Sequence, residues 1–134
     1  MEIPKNLYYT KDHKWVRKEN EEFITVGVTD PGQDKLGEVK NVDLNGDENL
    51  GQGDKYGIIK GANKEDDLNA PLATYVDTPN TDILNDCPDL INEDPYGDGW
   101  IFRGKDYDEK QLKDLMDADE YEKFLNEEEE ESFE

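Results

Sequence analysis

The sequence predicts a mainly-β protein, in which short strands form a small sandwich or barrel that helices close at the C-terminus. Three observations lead to this fold class. Runs rich in β-branched and aromatic residues recur over roughly the first hundred residues, and turn residues separate them at close spacing. Apolar residues adopt a helical spacing only after residue 107. The length of 134 residues suits one domain.

A one-turn helix with both ends specified follows the first two predicted strands. Asp30 suits the N-cap, Pro31 suits the first helical position, and Gln33 can act as the capping-box partner of Asp30. Gly37 can then adopt the positive φ that ends a helix. The two preceding strands cover residues 14–19 and 23–28.

The middle of the chain is predicted to form strands around a hairpin whose tip is residues 61–66. Pro71 interrupts the return strand, which we therefore expect to bend or to lie at an edge, because proline has no N–H for a strand ladder. In the turn-rich segment 77–98, Pro88 is placed to open a short helix. The strands predicted here cover residues 39–44, 56–59, 68–76 and 100–102.

Two short helices are predicted near the C-terminus. Asp108 with Gln111 forms one capping-box pattern, and Asp117 with Glu120 forms a second. Apolar residues at helical spacing follow both caps, and we expect them to face the core. They are Leu112, Leu115, Met116, Tyr121, Phe124 and Leu125.

Domain organisation is predicted to be simple, with one folded domain over residues 1–126 and a disordered acidic tail over residues 127–134. The tail begins with a run of glutamates, residues 127–131. Such a run of like charges repels itself and has no apolar side chains to bury.

The formal net charge of -21 limits the classes of partner. A strongly negative field repels the phosphates of nucleic acids and the surfaces of anionic membranes, so we expect neither as a partner. It steers the chain toward proteins with basic faces instead. Segment 65–102 contains ten acidic residues and no lysine or arginine, and it is a candidate docking surface if these acids share a face.

Cys87 is the single cysteine and His13 the single histidine, and together they argue against several site types. One cysteine cannot form an internal disulfide, and two such ligands are too few for a zinc site. No local motif makes them a catalytic pair, so we predict no catalytic residues and no metal site. The N-terminus lacks the features of a signal or transit peptide, which favours a cytoplasmic protein or the mature form of an imported one.

Four motifs carry a resemblance to a known family. Tyr9–Val16 is similar to the pattern Tyr-Thr-x-x-His-Glu-Trp-Val, and Val26–Thr29 continues it. Ala70-Pro71 matches an Ala-Pro pair that follows a hairpin. Leu84–Phe102 matches Leu-x-x-x-Pro-Glu-Leu-(Val/Ile)-Asn-x-x-Pro-Tyr-x-x-Gly-Trp-(Ile/Leu) almost residue by residue. In order and spacing, these motifs resemble the glycine cleavage H proteins over about residues 7–125.

The resemblance implies a flattened sandwich of two antiparallel sheets, lipoyl-domain-like or barrel-sandwich hybrid, with short C-terminal helices. It implies a carrier of glycine catabolism rather than an enzyme. In this family a lipoate ligase attaches lipoate to a lysine at a hairpin tip. The lipoyl arm accepts an aminomethyl group from the P protein, presents it to the T protein and is reoxidised by the L protein. A flexible arm on a rigid turn visits several sites at high effective concentration.

The sequence departs from the family at the lysine that carries lipoate. Counting back seven residues from Ala70 places Asn63 at the position of that lysine, and Lys64 follows one residue late. A one-residue slip in a hairpin turns a side chain to the other face. Lys14 also replaces the glutamate of the His-Glu-Trp motif, so a positive charge stands where the loaded arm would meet a carboxylate.

Three hypotheses follow from this departure. In the first, the turn is shifted and Lys64 carries lipoate as the cofactor-binding residue, with the P, T and L proteins as partners. In the second, the protein is an unlipoylated H-like paralogue that binds or regulates an unknown basic protein. In the third, it is a lipoate-binding carrier of another pathway, such as sulfur metabolism.

Overall fold

The computed structural model describes residues 1–131, apart from the side chains of Asp82, Glu130 and Glu131. Within these residues the chain forms nine strands and five helices. The strands are β1 Tyr8–Tyr9, β2 Lys14–Lys18, β3 Phe23–Val28, β4 Val39–Leu44, β5 Asn49–Leu50, β6 Lys55–Gly61, β7 Glu65–Asn69, β8 Thr74–Pro79 and β9 Phe102–Lys105. The helices are α1 Asp30–Leu36, α2 Thr81–Asp86, α3 Leu90–Glu93, α4 Glu109–Asp114 and α5 Ala118–Glu131.

The strands form two antiparallel sheets, as the sequence predicts. The larger sheet has the order β1-β2-β3-β9-β8-β5, and the smaller sheet has the order β4-β6-β7. The return strand expected over residues 68–76 is two strands, β7 and β8, which belong to different sheets. Pro71 lies in the crossing between them, where the loss of one N–H donor costs no ladder bond.

Two apolar clusters stabilise this arrangement. The larger cluster takes side chains from both sheets and fills the space between them. The smaller cluster packs α5 against the N-terminal strands around Tyr9, Trp15 and Tyr121, all fully buried. Trp15 Nε1 also donates hydrogen bonds to the carbonyls of Val28 at 3.1 Å and Pro95 at 2.9 Å. The segments that carry the family motifs are therefore joined in one rigid frame.

Helix α1 begins one residue earlier than the sequence predicts. Thr29, in extended conformation, is the N-cap, and its hydroxyl accepts a hydrogen bond from the Gly32 amide at 3.0 Å. The prediction of Asp30 as the N-cap is wrong, because Asp30 is already helical and its carboxylate accepts from Gln33 Nε2 instead. Gly37, with φ of +74°, follows the helix as expected.

The predicted N-cap residues Asp108 and Asp117 are confirmed, but the capping box predicted at Asp108 does not form, because the Gln111 side chain accepts a hydrogen bond from the Ala73 amide instead. The Asp108 carboxylate accepts from the Gln111 amide at 3.0 Å. Asp117 and Glu120 exchange two such bonds, at 3.1 and 2.8 Å, which is a complete capping box. Within the described part of the chain, none of the helices has both the length and the apolar character needed to cross a membrane.

The acidic segment after residue 126 continues helix α5 to Glu131. The prediction of a disordered tail is therefore wrong for residues 127–131, and residues 132–134 lie outside the described residues. Glu128 explains the difference, because its carboxylate lies 3.3 Å from His13 Nε2 and 3.6 Å from Lys35 Nζ. These two contacts hold the end of the helix against the domain, although its glutamates repel one another.

Candidate functional site

The β6–β7 hairpin presents residues 61–64 as a tight turn. Lys60 pairs with Glu65 in the last rung of the ladder, and the Gly61 amide donates to the Lys64 carbonyl at 2.9 Å. The predicted hairpin is confirmed, but its tip is shorter than the predicted residues 61–66, because Gly61 belongs to β6 and both Glu65 and Asp66 belong to β7. Asn63 and Lys64 both lie in this turn.

The hairpin tip is docked on the C-terminal end of α1. The Asn63 amide donates to the Leu36 carbonyl, and the Ala62 amide donates to the Glu38 carbonyl, each at 2.9 Å. The contact is close at Gly61, where an added Cβ would lie 2.2 Å from the Leu36 carbonyl oxygen. Glycine is required here because the two backbones approach each other too closely for any side chain.

The Asn63 side chain fills a structural position beside α1. Its Nδ2 lies 3.5 Å from the Lys35 carbonyl oxygen, at the limit of a hydrogen bond. Its amide group packs against Gly37, where a Cβ would lie 2.9 Å from Asn63 Cγ. The amide thus helps to satisfy a carbonyl in the last turn of the helix, where four carbonyls lack intrahelical donors.

Lys64 belongs to a different face of the hairpin from Asn63. Side chains alternate along a strand, so Lys64 shares a face with Asp66 and Leu68, and Leu68 is fully buried. The Lys64 ammonium lies 3.2 Å from the Asp66 carboxylate, and the Lys64 side chain is 46% exposed. This amine is therefore reachable and already paired.

Lys14 lies close to the same face and is almost completely enclosed. Its side chain is 4% exposed, and its Nζ donates to the Asp12 carbonyl at 2.8 Å. Burial lowers the pKa of the Lys14 ammonium, while the carboxylates of Asp12 and Asp66 act in the opposite direction. Lys64 is near enough to lower this pKa further. Two lysines and two aspartates thus form a cluster whose charges balance.

His13 clamps the end of α5 next to α1. It adopts a positive φ of 65°, and its Nδ1 lies 2.7 Å from the Tyr121 hydroxyl. Burial lowers the pKa of His13, and the nearby Glu128 carboxylate opposes that shift. Cys87 is exposed at the C-terminal end of α2. The structure gives His13 a structural role, which the sequence did not reveal because Tyr121 and Glu128 are distant in the chain.

A rigid two-sheet sandwich that presents a tight β-hairpin is the architecture of lipoyl-domain-like carrier proteins. The chain matches the sequence model of the glycine cleavage H-protein over residues 7–128. It belongs to the glycine cleavage H-protein family.

Individual relatives agree with this assignment. A glycine cleavage system H protein of Coxiella burnetii (strain Dugway 5J108-111) is 40% identical over 92% of this chain and 95% of that protein. A glycine cleavage system H protein of Photorhabdus laumondii subsp. laumondii is 39% identical over 95% of this chain and 98% of that protein. The crystal structure of a glycine cleavage system H protein from Mycobacterium marinum matches with a TM-score of 0.76 at 28% identity. That match covers 89% of this chain and 95% of the other.

The family defines the general role of the chain. H proteins are lipoyl carriers without catalytic activity of their own, and they carry lipoate on a lysine. They work with the P, T and L proteins of glycine cleavage. The predicted fold class, family and non-enzymatic character are therefore confirmed. Within this family, the residue at the attachment turn distinguishes the present chain.

Proposed function

We propose that this chain is a docking module of glycine cleavage that keeps the H-protein fold and works without a lipoyl arm. The observation that carries the proposal is Asn63, which occupies the position of the family lysine by sequence count. An amide nitrogen is not a usable nucleophile, so a ligase cannot acylate it as it acylates an amine. The Asn63 side chain also lies against Gly37 and the Lys35 carbonyl, which gives it a structural role in the turn.

The neighbouring lysines do not restore a fit for lipoate. Lys64 offers an amine, but it lies one residue past the family position, is paired with Asp66 and lies near the buried Lys14. Lys14 puts a buried ammonium where the resemblance implies a carboxylate facing the loaded arm. The residues present therefore do not fit the group at its family position.

A carrier with its arm on Lys64 is the second candidate function. The 46% exposure of the Lys64 side chain favours it, because a ligase could reach the amine. The ion pair with Asp66 would have to break first, but partly exposed ion pairs are weak. This candidate requires the hairpin turn to rearrange, since the tip amides are bonded to the Leu36 carbonyl of α1 and to the Glu38 carbonyl beyond it.

The proposed partners are the P, T and L proteins, which would recognise the protein surface of the H fold. The net charge of -21 favours basic faces on these partners. Binding without an arm would occupy the site of an ordinary H protein without supporting turnover.

A reconstituted glycine cleavage reaction tests this proposal. P, T and L proteins are combined with a lipoylated H protein, and the present chain, treated with lipoate ligase and lipoate, is added in increasing excess. We expect the rate to fall as the chain competes for docking, and the inhibition to weaken as salt rises. An unrelated protein of similar negative charge controls for nonspecific effects.

The same assay without the ordinary H protein separates the two candidates. An arm-less docking module gives no turnover as the single H component. Turnover that disappears in the Lys64→Arg variant would instead establish the second candidate. Absence of inhibition at any excess of the chain would contradict docking.

A further inference from the structure

The last turns of helix α5 lie beside α1 without an apolar anchor of their own. Earlier in the helix, Tyr121 is fully buried, and Phe124 and Leu125 are half-buried. No apolar residue stands among residues 126–131, of which the last five are glutamates. We call this segment the acidic end of α5. It lines one shallow groove together with α1.

The acidic end is an unfavourable position for so much negative charge. The C-terminal end of a helix already carries partial negative charge on its unpaired carbonyls, and the last turn of α5 contains no basic residue. Glutamates on neighbouring turns also repel one another. The helical conformation of this segment therefore depends on contacts with the rest of the domain.

Glu128 makes contacts of this kind. Its Oε1 lies 3.3 Å from His13 Nε2 and 3.6 Å from Lys35 Nζ, and the side chains of Glu128 and Lys35 are 31% and 44% exposed. This oxygen is buried, yet it has no hydrogen bond of good geometry among the described residues. The attraction is therefore electrostatic and partly open to solvent, where dissolved ions weaken it.

Lys35 connects this ion pair to the hairpin tip. Its ammonium contacts Glu128, and its backbone carbonyl oxygen lies 3.5 Å from Asn63 Nδ2. The next carbonyl, that of Leu36, accepts a hydrogen bond from the Asn63 amide at 2.9 Å. A shift of Lys35 therefore displaces the carbonyl groups on which Asn63 is docked.

The first turn of α1 is held by contacts that salt does not weaken. The Tyr121 hydroxyl lies 2.8 Å from the hydroxyl of Thr29, the N-cap of α1, and 2.7 Å from His13 Nδ1. Burial lowers the pKa of His13, so these three groups are uncharged at neutral pH. A change at Glu128 thus acts through Lys35 on the last turn of α1 and leaves its start in place.

We infer that the acidic end of α5 is a releasable strap, which fastens the last turn of α1 and, through it, the hairpin tip. The contact of Glu128 with Lys35 closes the strap. Cations that compete with Lys35 for this carboxylate open it and loosen the docking of Asn63. A basic segment of a partner protein would act in this way, because the run of glutamates attracts it. The strap goes beyond the proposed function, since its contacts involve neither a lipoyl arm nor the P, T and L proteins.

Amide hydrogen exchange of the full chain, followed residue by residue by NMR, tests the strap. In Glu128→Gln, which removes the charge and keeps the size, we expect exchange at the Asn63 amide to accelerate about threefold. Glu127→Gln removes the same charge from the exposed neighbouring residue and should leave this rate unchanged. Lys35→Gln should accelerate exchange as much as Glu128→Gln, and the double variant should add nothing further.

Competing cations provide a second measurement on the same amide. Raising NaCl from about 50 to about 500 mM should accelerate exchange at Asn63 in the wild-type chain and not in Glu128→Gln. A decalysine peptide added at low salt should have the same effect. Equal acceleration in the two proteins would overturn the inference. Unchanged exchange at Asn63 in Glu128→Gln would overturn it as well, because the tip would then be independent of the strap.

Discussion

The two ends of strand β6 differ in how their polar groups are satisfied. At the Gly61 end, the turn amides bond to carbonyls at and just after the end of α1, the Asn63 side-chain amide lies against a helix carbonyl, and Lys64 is paired with Asp66. At the Tyr56 end, about 17 Å away along the strand, a buried hydroxyl has no partner among the described residues. Groups that already have partners gain little from a ligand, whereas unpartnered ones gain most. The comparison therefore assigns a structural role to the hairpin tip and leaves one unsatisfied hydrogen-bonding group in the core at the Tyr56 end.

The largest effect is expected at the tip, from Gly61→Ala. The new Cβ would lie 2.2 Å from the Leu36 carbonyl oxygen, and backbone on both sides would have to move. We expect the free energy of unfolding to fall by about 3 kcal/mol, measured by urea denaturation. Gly51→Ala is the matched control, because its nearest neighbour is the movable Asp54 carboxylate at 3.3 Å. Equal losses in the two variants would show that the tip is not tightly docked.

A smaller effect of opposite sign is expected at the other end, from Tyr56→Phe. Removing the unpartnered hydroxyl keeps the ring and its contact with Phe102. We expect the free energy of unfolding to rise by about 1 kcal/mol, which calorimetry would detect as a higher Tm. A lower Tm would mean that the hydroxyl is already satisfied in the free protein.

The smallest effect concerns His13, which contacts Tyr121 and Glu128 of α5. Burial lowers the pKa of His13 in the folded protein, so the unfolded chain binds this proton more readily. The stabilising contribution of neutral His13 is therefore complete above the ordinary histidine pKa of 6.5, and it is lost as the pH falls below that value toward the lower pKa of the folded protein. We expect stability to decrease on acidification from about pH 7 to 5.5.

His13→Asn checks the origin of this pH dependence, because asparagine tolerates the positive φ of residue 13. The variant should show a shallower loss of stability over the same pH range, measured by urea denaturation at each pH. An unchanged slope would assign the effect to the carboxylates instead of to His13.

Local sequence signals predicted the elements whose determinants are close in the chain. The N-caps at Asp108 and Asp117 and the hairpin around Asn63 each depend on residues a few positions apart. The N-cap of α1 was misassigned because Thr29 and Asp30 can both cap, and only the backbone conformation distinguishes them.

Features built from distant segments could not be predicted in this way. Helix α5 continues to Glu131 because the Glu128 carboxylate contacts the side chains of His13 and Lys35, which lie roughly a hundred residues earlier in the chain. The docking of Asn63 on α1 joins residues 28 positions apart. Counting back from Ala70 was enough to place Asn63 at the family position. The ion pair between Lys64 and Asp66 could also have been predicted, because residues two apart along a strand share a face. The unpartnered Tyr56 hydroxyl could not be predicted either, because distant segments bury it without supplying a hydrogen-bond partner.

Intact mass after treatment with lipoate ligase and lipoate tests the central claim, that the tip of this chain carries no lipoyl arm. Wild-type protein and the Asn63→Lys variant are treated in parallel with an ordinary H protein as the positive control. The account predicts an unmodified wild-type chain and a single lipoyl group on the Asn63→Lys variant. A lipoyl group on the wild-type chain, mapped to Lys64 by peptide analysis, would contradict it.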